Sequence, residues 1–253
     1  MRSLFDVSGK VVLVTGGTRG IGRMIAQGFV QNGARVYVSS RKPEACEQAA
    51  RELSEFGTCV AIPADVARAE GWTAIVEGMT NHEGHIDVLV NNAGATWGAP
   101  LEEYPTSGWD KVYNLNVRGL FFLVQKALPL LRKSPSQPAR IINIASINGL
   151  TPSDNDVFAY SSSKAAAIML TRQLAKHLAK ENILVNAVAP GSFQTDMMKQ
   201  TLADRGDEYA SRSPLGRLGK PEDIAGVAIF LAAAASAYLT GAVIPCDGGL
   251  SQV

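Results

Sequence analysis

Tyr160 and Lys164 stand four positions apart in Tyr160-Ser161-Ser162-Ser163-Lys164, near the start of an apolar, Ala-rich stretch. A helix turns once in about 3.6 residues, so the two side chains would share one face. A free phenol has a pKa of about 10 and neither gives nor takes a proton readily near neutrality. A cation held ~4 Å away, at an effective dielectric of ~20, favours the phenolate by about 4 kcal/mol. That is roughly three pKa units, so the spacing leads us to expect a Tyr160 hydroxyl tuned toward 7, where general acid–base catalysis works best. The same spacing fits an ordinary solvated i,i+4 pair, and the rest of the chain has to decide between them.

Elements able to hold such a pair in place recur along the chain. Apolar, β-rich runs fall at Val11–Thr15, Arg35–Ser39, Thr58–Ile62, Ile86–Val90, Ile141–Ala145, Ile183–Val188 and Ala242–Cys246. Helical patterns lie between them at Ile21–Gln31, Pro43–Phe56, Arg68–Thr80, Ser107–Leu131, Val157–Lys180 and Pro221–Ala235. Continuously apolar strands alternating with helices predict a parallel sheet covered on both faces. Right-handed crossovers then make it a single-domain, Rossmann-type doubly wound α/β sheet of about seven strands, spanning residues 1–253. Lys133–Pro138 reads as a loop, because Pro135 and Pro138 cannot continue a helix. The weakly patterned stretch 191–218 reads as a substrate lid, or else as a plain irregular loop.

Thr15-Gly16-Gly17-Thr18-Arg19-Gly20-Ile21-Gly22 follows the first strand and opens a helix. Glycines let a backbone approach a pyrophosphate, and the helix N-terminus adds N–H donors and a favourable dipole. A plain Gly-rich turn would need no ligand. At the end of the second strand an acidic residue would accept from an adenosine ribose and repel a 2′-phosphate. Here Ser40 is followed by Arg41 and Lys42, with Arg19 in the glycine loop. An arginine fork suits phosphate, so NADP(H) is expected rather than NAD(H), unless Arg41 merely ends a strand in solvent. Asp65 suits an Asx turn, a hydrogen bond to adenine, or both.

Small residues and Asn in Asn91-Asn92-Ala93-Gly94 permit close backbone approach, to a cofactor or simply around a turn. Trp97 beside them lines a pocket or packs. Asn116 lies inside an apolar helical pattern, where Asn forms helix poorly. Buried, it needs partners such as a water chain; otherwise it faces solvent. Ser146 ends the fifth strand, at the sheet edge where open α/β sheets bind ligands, and its hydroxyl could orient a carbonyl. It lacks the Gly-x-Ser-x-Gly elbow of a hydrolase nucleophile. Pro190-Gly191 and then Thr195 could meet the nicotinamide end and the diphosphate. His82 and His85 sit in a polar turn expected to be solvated, and His177 on a Lys-flanked helix.

The overall composition narrows the function. A net charge of +1 gives no electrostatic case for nucleic acid or an acidic membrane surface. Cys46, Cys59 and Cys246 are scattered, without the spacing of a zinc site or disulfide framework, so no metal is expected. The first ten residues lack the apolar core of a signal peptide, and no apolar run is long enough to span a bilayer. A cytoplasmic, reduced setting is expected.

Taken together, these motifs resemble the short-chain dehydrogenase/reductase family across nearly the whole chain. The glycine pattern at 15–22, Asp65, Asn91-Asn92-Ala93-Gly94, Asn116, Ser146, Tyr160/Lys164 and Pro190-Gly191 occur in that family's order. Leu89–Gly98, Gly108–Val117 and Cys246–Gly249 look most like NADPH-dependent 3-oxoacyl reductases, including those of rhamnolipid type. The resemblance implies that Tyr160 passes a proton to or from the substrate oxygen and that Ser146 hydrogen-bonds it. Lys164 would hold the nicotinamide ribose and lower the Tyr160 pKa, and Asn116 would hold a water joining Lys164 to solvent. It implies NADP(H) contacts from Gly16, Thr18, Arg19, Gly20, Ile21, Gly22, Ser40, Arg41, Asp65 and Val66. Asn92, Ala93, Gly94, Tyr160, Lys164, Pro190, Gly191 and Thr195 would complete that site. It implies a 3-oxoacyl thioester or related small-molecule ketone as substrate, and a homotetramer built partly on the helices after strands four and five. The stretch Ile147–Ala159, with its acidic Asp154 and Asp156, is slightly long for the family. A dehydrogenase of a sugar or polyol would use the same residues. A non-catalytic NADP-binding protein would have no need of Tyr160 and Lys164.

Overall fold

The computed structural model describes residues 4–195 and 208–251. Seven strands form one parallel sheet: β1 (Val11–Thr15), β2 (Arg35–Ser39), β3 (Cys59–Ala61), β4 (Val88–Asn91), β5 (Ala139–Ile144), β6 (Ile183–Pro190) and β7 (Val243–Cys246). Their spatial order is β3-β2-β1-β4-β5-β6-β7, so the winding reverses between β1 and β4. Both neighbours of that crevice are in register, with Val12 opposite Val36 on one side and Val88 on the other.

Alternation along β1 builds two cores. Val12 and Val14 face one side, packed with Ile25 and Phe29 of α1 (Gly20–Gln31) and Ile224 and Leu231 of α7 (Pro221–Ala232). Val11 and Leu13 face the other, packed with Ile75 of α3 (Ala69–His82), Leu123 of α5 (Leu120–Arg132) and Leu178 of α6 (Phe158–Leu178). Successive strand residues point to opposite faces, which is why apolar strands without alternation require helices on both sides. Each such side chain contributes about 1.5–3 kcal/mol by leaving water. Pro43 and Pro221 open α2 (Pro43–Leu53) and α7 at their first positions, where a missing N–H costs nothing.

All the expected elements are present, with three adjustments. β3 is shorter than expected and forms one edge of the sheet, while β6 runs on to Pro190 along β7. The long pattern at 107–131 is not one helix: α4 (Thr106–Tyr113) passes through a π-helical turn at Asn114–Gly119 into α5. An extra residue in a turn shifts the faces of the helix beyond it, and here Asn116 ends up buried. The polar turn at residues 82–85 is not wholly solvated. His85 is half-buried, with Nδ1 3.1 Å from the Glu83 carbonyl and Nε2 3.6 Å from Asp87 Oδ2. Among the described residues no helix is long and apolar enough to cross a membrane.

Candidate active site

Parallel strands end together, so the last residues of β1, β2, β4, β5 and β6 share the carboxyl edge of the sheet. Thr15 ties the crevice there. Its hydroxyl accepts from the N–H groups of Asn92 and Ala93, each at 3.1 Å. Asn92 answers by donating its side-chain amide to the carbonyls of Thr15 (2.9 Å) and Gly16 (3.1 Å). Gly16 in turn donates to Ser39 at 2.7 Å, which brings the end of β2 to the glycine loop.

The glycines of this loop answer to contacts and conformation. Gly16 and Gly20 have φ of +64° and +53°, a region that side chains avoid. A Cβ on Gly22 would lie 2.2 Å from Asn92 Nδ2, so only Gly lets α1 approach. Among the described residues only Thr195 comes near Gly20, 3.4 Å from a Cβ built there. Among the described residues the N-cap position of α1 makes no side-chain capping bond, and its first turn carries no acid. Its backbone donors and dipole therefore suit an anion, and a dinucleotide diphosphate fits this cradle. Arg19 precedes the helix and Arg41 follows β2, both exposed. Ser40 is half-buried, with its hydroxyl 3.4 Å from the Lys42 carbonyl. Asp65 makes an Asx turn with the Ala67 N–H at 3.0 Å, and buried Val66 accepts from the Trp72 indole at 2.6 Å.

On the other side of the crevice, Ser146, Tyr160 and Lys164 converge. Ser146 follows β5, is 7% exposed, and accepts from the Asn148 N–H at 3.2 Å. Lys164 is 6% exposed and donates from Nζ to the Ile144 carbonyl at 2.7 Å. Burial lowers its pKa to about 8. Its Nζ also lies beside Gly94, 3.6 Å from a Cβ built there. Thus Lys164 and Tyr160 do share a face, with the ammonium over the ring at 5.6 Å from its centroid and turned to the Ile144 carbonyl. The expected fall of the Tyr160 pKa toward 7 is overturned by burial. Burial pushes the phenol above its ordinary value, and a hydrogen bond with Ser146 opposes that only in part.

Asn116 is buried, with three of its four side-chain hydrogen-bonding positions filled. Its Oδ1 accepts from Ala95 N at 2.8 Å, and its Nδ2 donates to Ala95 O (3.0 Å) and Ser163 Oγ (2.9 Å). It joins the π-helical turn, the segment just past Gly94, and α6. Ser163, Ala95 and the Ile144 carbonyl escaped the sequence reading, because a backbone acceptor or one serine among three carries no signal. Trp97 is partly buried and packs: a Cβ on Gly108 would touch its ring at 2.7 Å, and Lys111 Nζ lies 4.9 Å from the ring centroid. Pro190 pairs with Cys246, and Gly191 donates to the Cys246 carbonyl at 3.0 Å. Part of the expected lid, residues 196–207, lies outside the described residues.

Comparison with known proteins gives the family and the overall fold. The family profile described as enoyl-(acyl carrier protein) reductase matches residues 16–251. A rhamnolipids biosynthesis 3-oxoacyl-[acyl-carrier-protein] reductase of Pseudomonas aeruginosa is 48% identical, over 98% of this chain and 99% of its own. A 5-keto-D-gluconate 5-reductase of Escherichia coli is 34% identical, over 99% and 98%. Among solved structures, the Pseudomonas aeruginosa RhlG/NADP active-site complex superposes with a TM-score of 0.95. It is 46% identical, covering 99% of this chain and 100% of that one.

Proposed function

The chain belongs to the short-chain dehydrogenase/reductase family, and on that premise we propose that it is an NADPH-dependent reductase of a 3-oxoacyl thioester. The observation that carries this reading is the convergence of Ser146, Tyr160 and Lys164 beside an uncapped α1 N-terminus. When bound, NADPH supplies the hydride. Gly16 to Gly22 and Thr195 hold the diphosphate, Asp65 and Val66 meet the adenine, and Ser40, Arg19 and Arg41 meet the 2′-phosphate. Asn92, Ala93, Gly94, Pro190 and Gly191 line the nicotinamide half.

Ser146 orients the substrate carbonyl, and Tyr160 donates its hydroxyl proton to the oxygen as that oxygen gains charge. A raised phenol pKa suits this direction, because Tyr160 stays protonated at neutral pH and an alkoxide is a far stronger base. Lys164 holds the ribose and presents a positive charge beneath the phenol. Asn116 fixes Ala95 and Ser163 and leaves one Oδ1 lone pair for a water between Lys164 and solvent. The direct test is NADPH oxidation with a panel of 3-oxoacyl thioesters and keto-sugar acids. Turnover of the thioesters supports the reading. Preference for the sugar acids would favour the second reading, a sugar or polyol dehydrogenase, which rests on the likeness to the gluconate enzyme.

Arg41→Asp combined with Arg19→Ala should lower the preference for NADPH over NADH by about ten- to a hundredfold. Two charge-assisted phosphate partners vanish and an anion takes one place. Kd values for both cofactors from fluorescence titration check this, and an unmoved ratio removes the 2′-phosphate assignment.

We take residues 1–253 as one catalytic domain with a lid at 191–218. A homotetramer is supported by an apolar face on α4 and α6, where Trp109, Phe158 and Met169 are 40%, 39% and 59% exposed. Phe158→Glu with Met169→Glu should reduce the assembly size in sedimentation. Cytoplasmic placement is supported by Cys46, Cys59 and Cys246, none of which forms a disulfide.

A further inference from the structure

We propose that Arg212 and Tyr209 clasp the tip of the loop joining Ser146 to Tyr160, and thereby position that loop around the acyl substrate. The proposal rests on the roles given above to Ser146 and Tyr160, since the loop begins at one and ends at the other.

The base of this loop is firmly held. Gly149 donates to the Ser146 carbonyl at 3.0 Å and lies so close to α6 that a Cβ there would sit 2.7 Å from the Lys164 carbonyl carbon. One flank is tied by Ala99, whose N–H donates to the Asp156 carbonyl at 3.1 Å. The tip is different: Asp154, Asn155 and Asp156 are all exposed, so packing contributes little.

What reaches the tip comes from a distant part of the chain. Arg212 Nη1 donates to Asp154 Oδ2 at 2.7 Å, and Asn155 Nδ2 donates to the Tyr209 hydroxyl at 3.3 Å. The guanidinium is itself set in place. Its Nη2 donates to Glu208 Oε1 at 2.6 Å, and it lies 5.4 Å from the Tyr209 ring centroid. Behind it the segment is anchored to the chain's last strand region, through Ser213 Oγ and Leu215 N to the Gly248 carbonyl at 3.1 and 3.4 Å. The clasp therefore joins an anchored arm to the exposed tip of the loop that runs from Ser146 to Tyr160.

An exposed ion pair is weak and screened by salt, so such a clasp opens and closes readily. That suits a long substrate that has to pass the tip and then be enclosed. Arg212 and Tyr209 act through the loop and are positioning residues.

The test uses the full chain, NADPH and a neutral 3-oxoacyl N-acetylcysteamine thioester, so that substrate charge plays no part. Arg212→Ala and Asp154→Ala should each raise KM by about two- to fivefold, the worth of an exposed pair, with kcat nearly unchanged. In the Arg212→Ala background, Asp154→Ala should add nothing, and Arg212→Lys should restore part of the loss. High salt should raise KM in the parent but not in the double variant. In the enzyme alone, hydrogen exchange at Ala99 and Val157 should quicken in Arg212→Ala. Unchanged KM and exchange in both single variants, or additive losses in the double variant, would overturn the clasp. Turnover surviving Tyr160→Phe would instead overturn the catalytic reading, whatever the exchange data show.

Discussion

Tyr160→Phe should lower kcat for thioester reduction by about 10²- to 10⁴-fold, the range in which a positioned general acid acts. The change deletes one oxygen and keeps the ring that lies over Lys164 Nζ, so packing of α6 is preserved. What disappears is the proton that the substrate oxygen takes as hydride arrives, together with the hydrogen bond to Ser146. NADPH Kd and Tm should stay close to the parent values, because neither depends mainly on that hydroxyl. The measurement is single-turnover NADPH oxidation at saturating substrate. Retained turnover would show that a water, rather than Tyr160, supplies the proton.

Lys164→Met should lower activity without lowering stability. Lys164 is charged at neutral pH although burial has lowered its pKa from the ordinary 10.5 to about 8. Folded chain gives up this proton more easily than unfolded chain. The resulting stability deficit is therefore complete below about pH 8 and is relieved as pH rises toward the unfolded value. At pH 7 a difference of that size amounts to about 3 kcal/mol, and Met removes it. Against that, the Ile144 carbonyl loses its donor, which costs about 1–3 kcal/mol. The net is a Tm unchanged or raised by a few degrees, while kcat/KM falls by about a hundredfold with loss of the ribose partner and its charge.

The pH profile separates this from a folding defect. In the parent enzyme kcat/KM reports groups of the free enzyme, and it should fall as pH rises through about 8 because Lys164 loses its charge. In Lys164→Met that limb should vanish, leaving a low, flat profile over the same range. A limb still present near 8 would assign it to another group.

Much of this protein is legible in the order of its residues. β1 and β2 fall where their apolar runs lie, since a strand buried on both faces has no alternative to continuous aliphatic residues. The glycine loop was readable because φ near +60° and contacts such as Gly22 against Asn92 exclude other side chains. The pairing of Tyr160 with Lys164 was readable because helical spacing puts residues four apart on one face. The break in the helix at Asn114–Gly119 was not readable. A π-helical turn is stabilised by what it brings together, here Asn116 with Ala95 and Ser163, and those partners are distant in sequence.

The direction of the Tyr160 pKa shift shows the same division. The sequence by itself determined the fold class, the carboxyl-edge site and the presence of a phenol and an ammonium on one helix face, all consequences of local geometry and periodicity. Only the tertiary structure decided how far apart the two groups stand and how much water each has lost. Lys164 turns to the Ile144 carbonyl, and burial outweighs the hydrogen bond with Ser146 at the phenol. The clasp of Arg212 on Asp154 belongs to that second kind as well, since both are ordinary surface residues until the chain brings them within 2.7 Å. Spacing in sequence sets which groups share a face; desolvation and long-range contacts are set by everything packed around them.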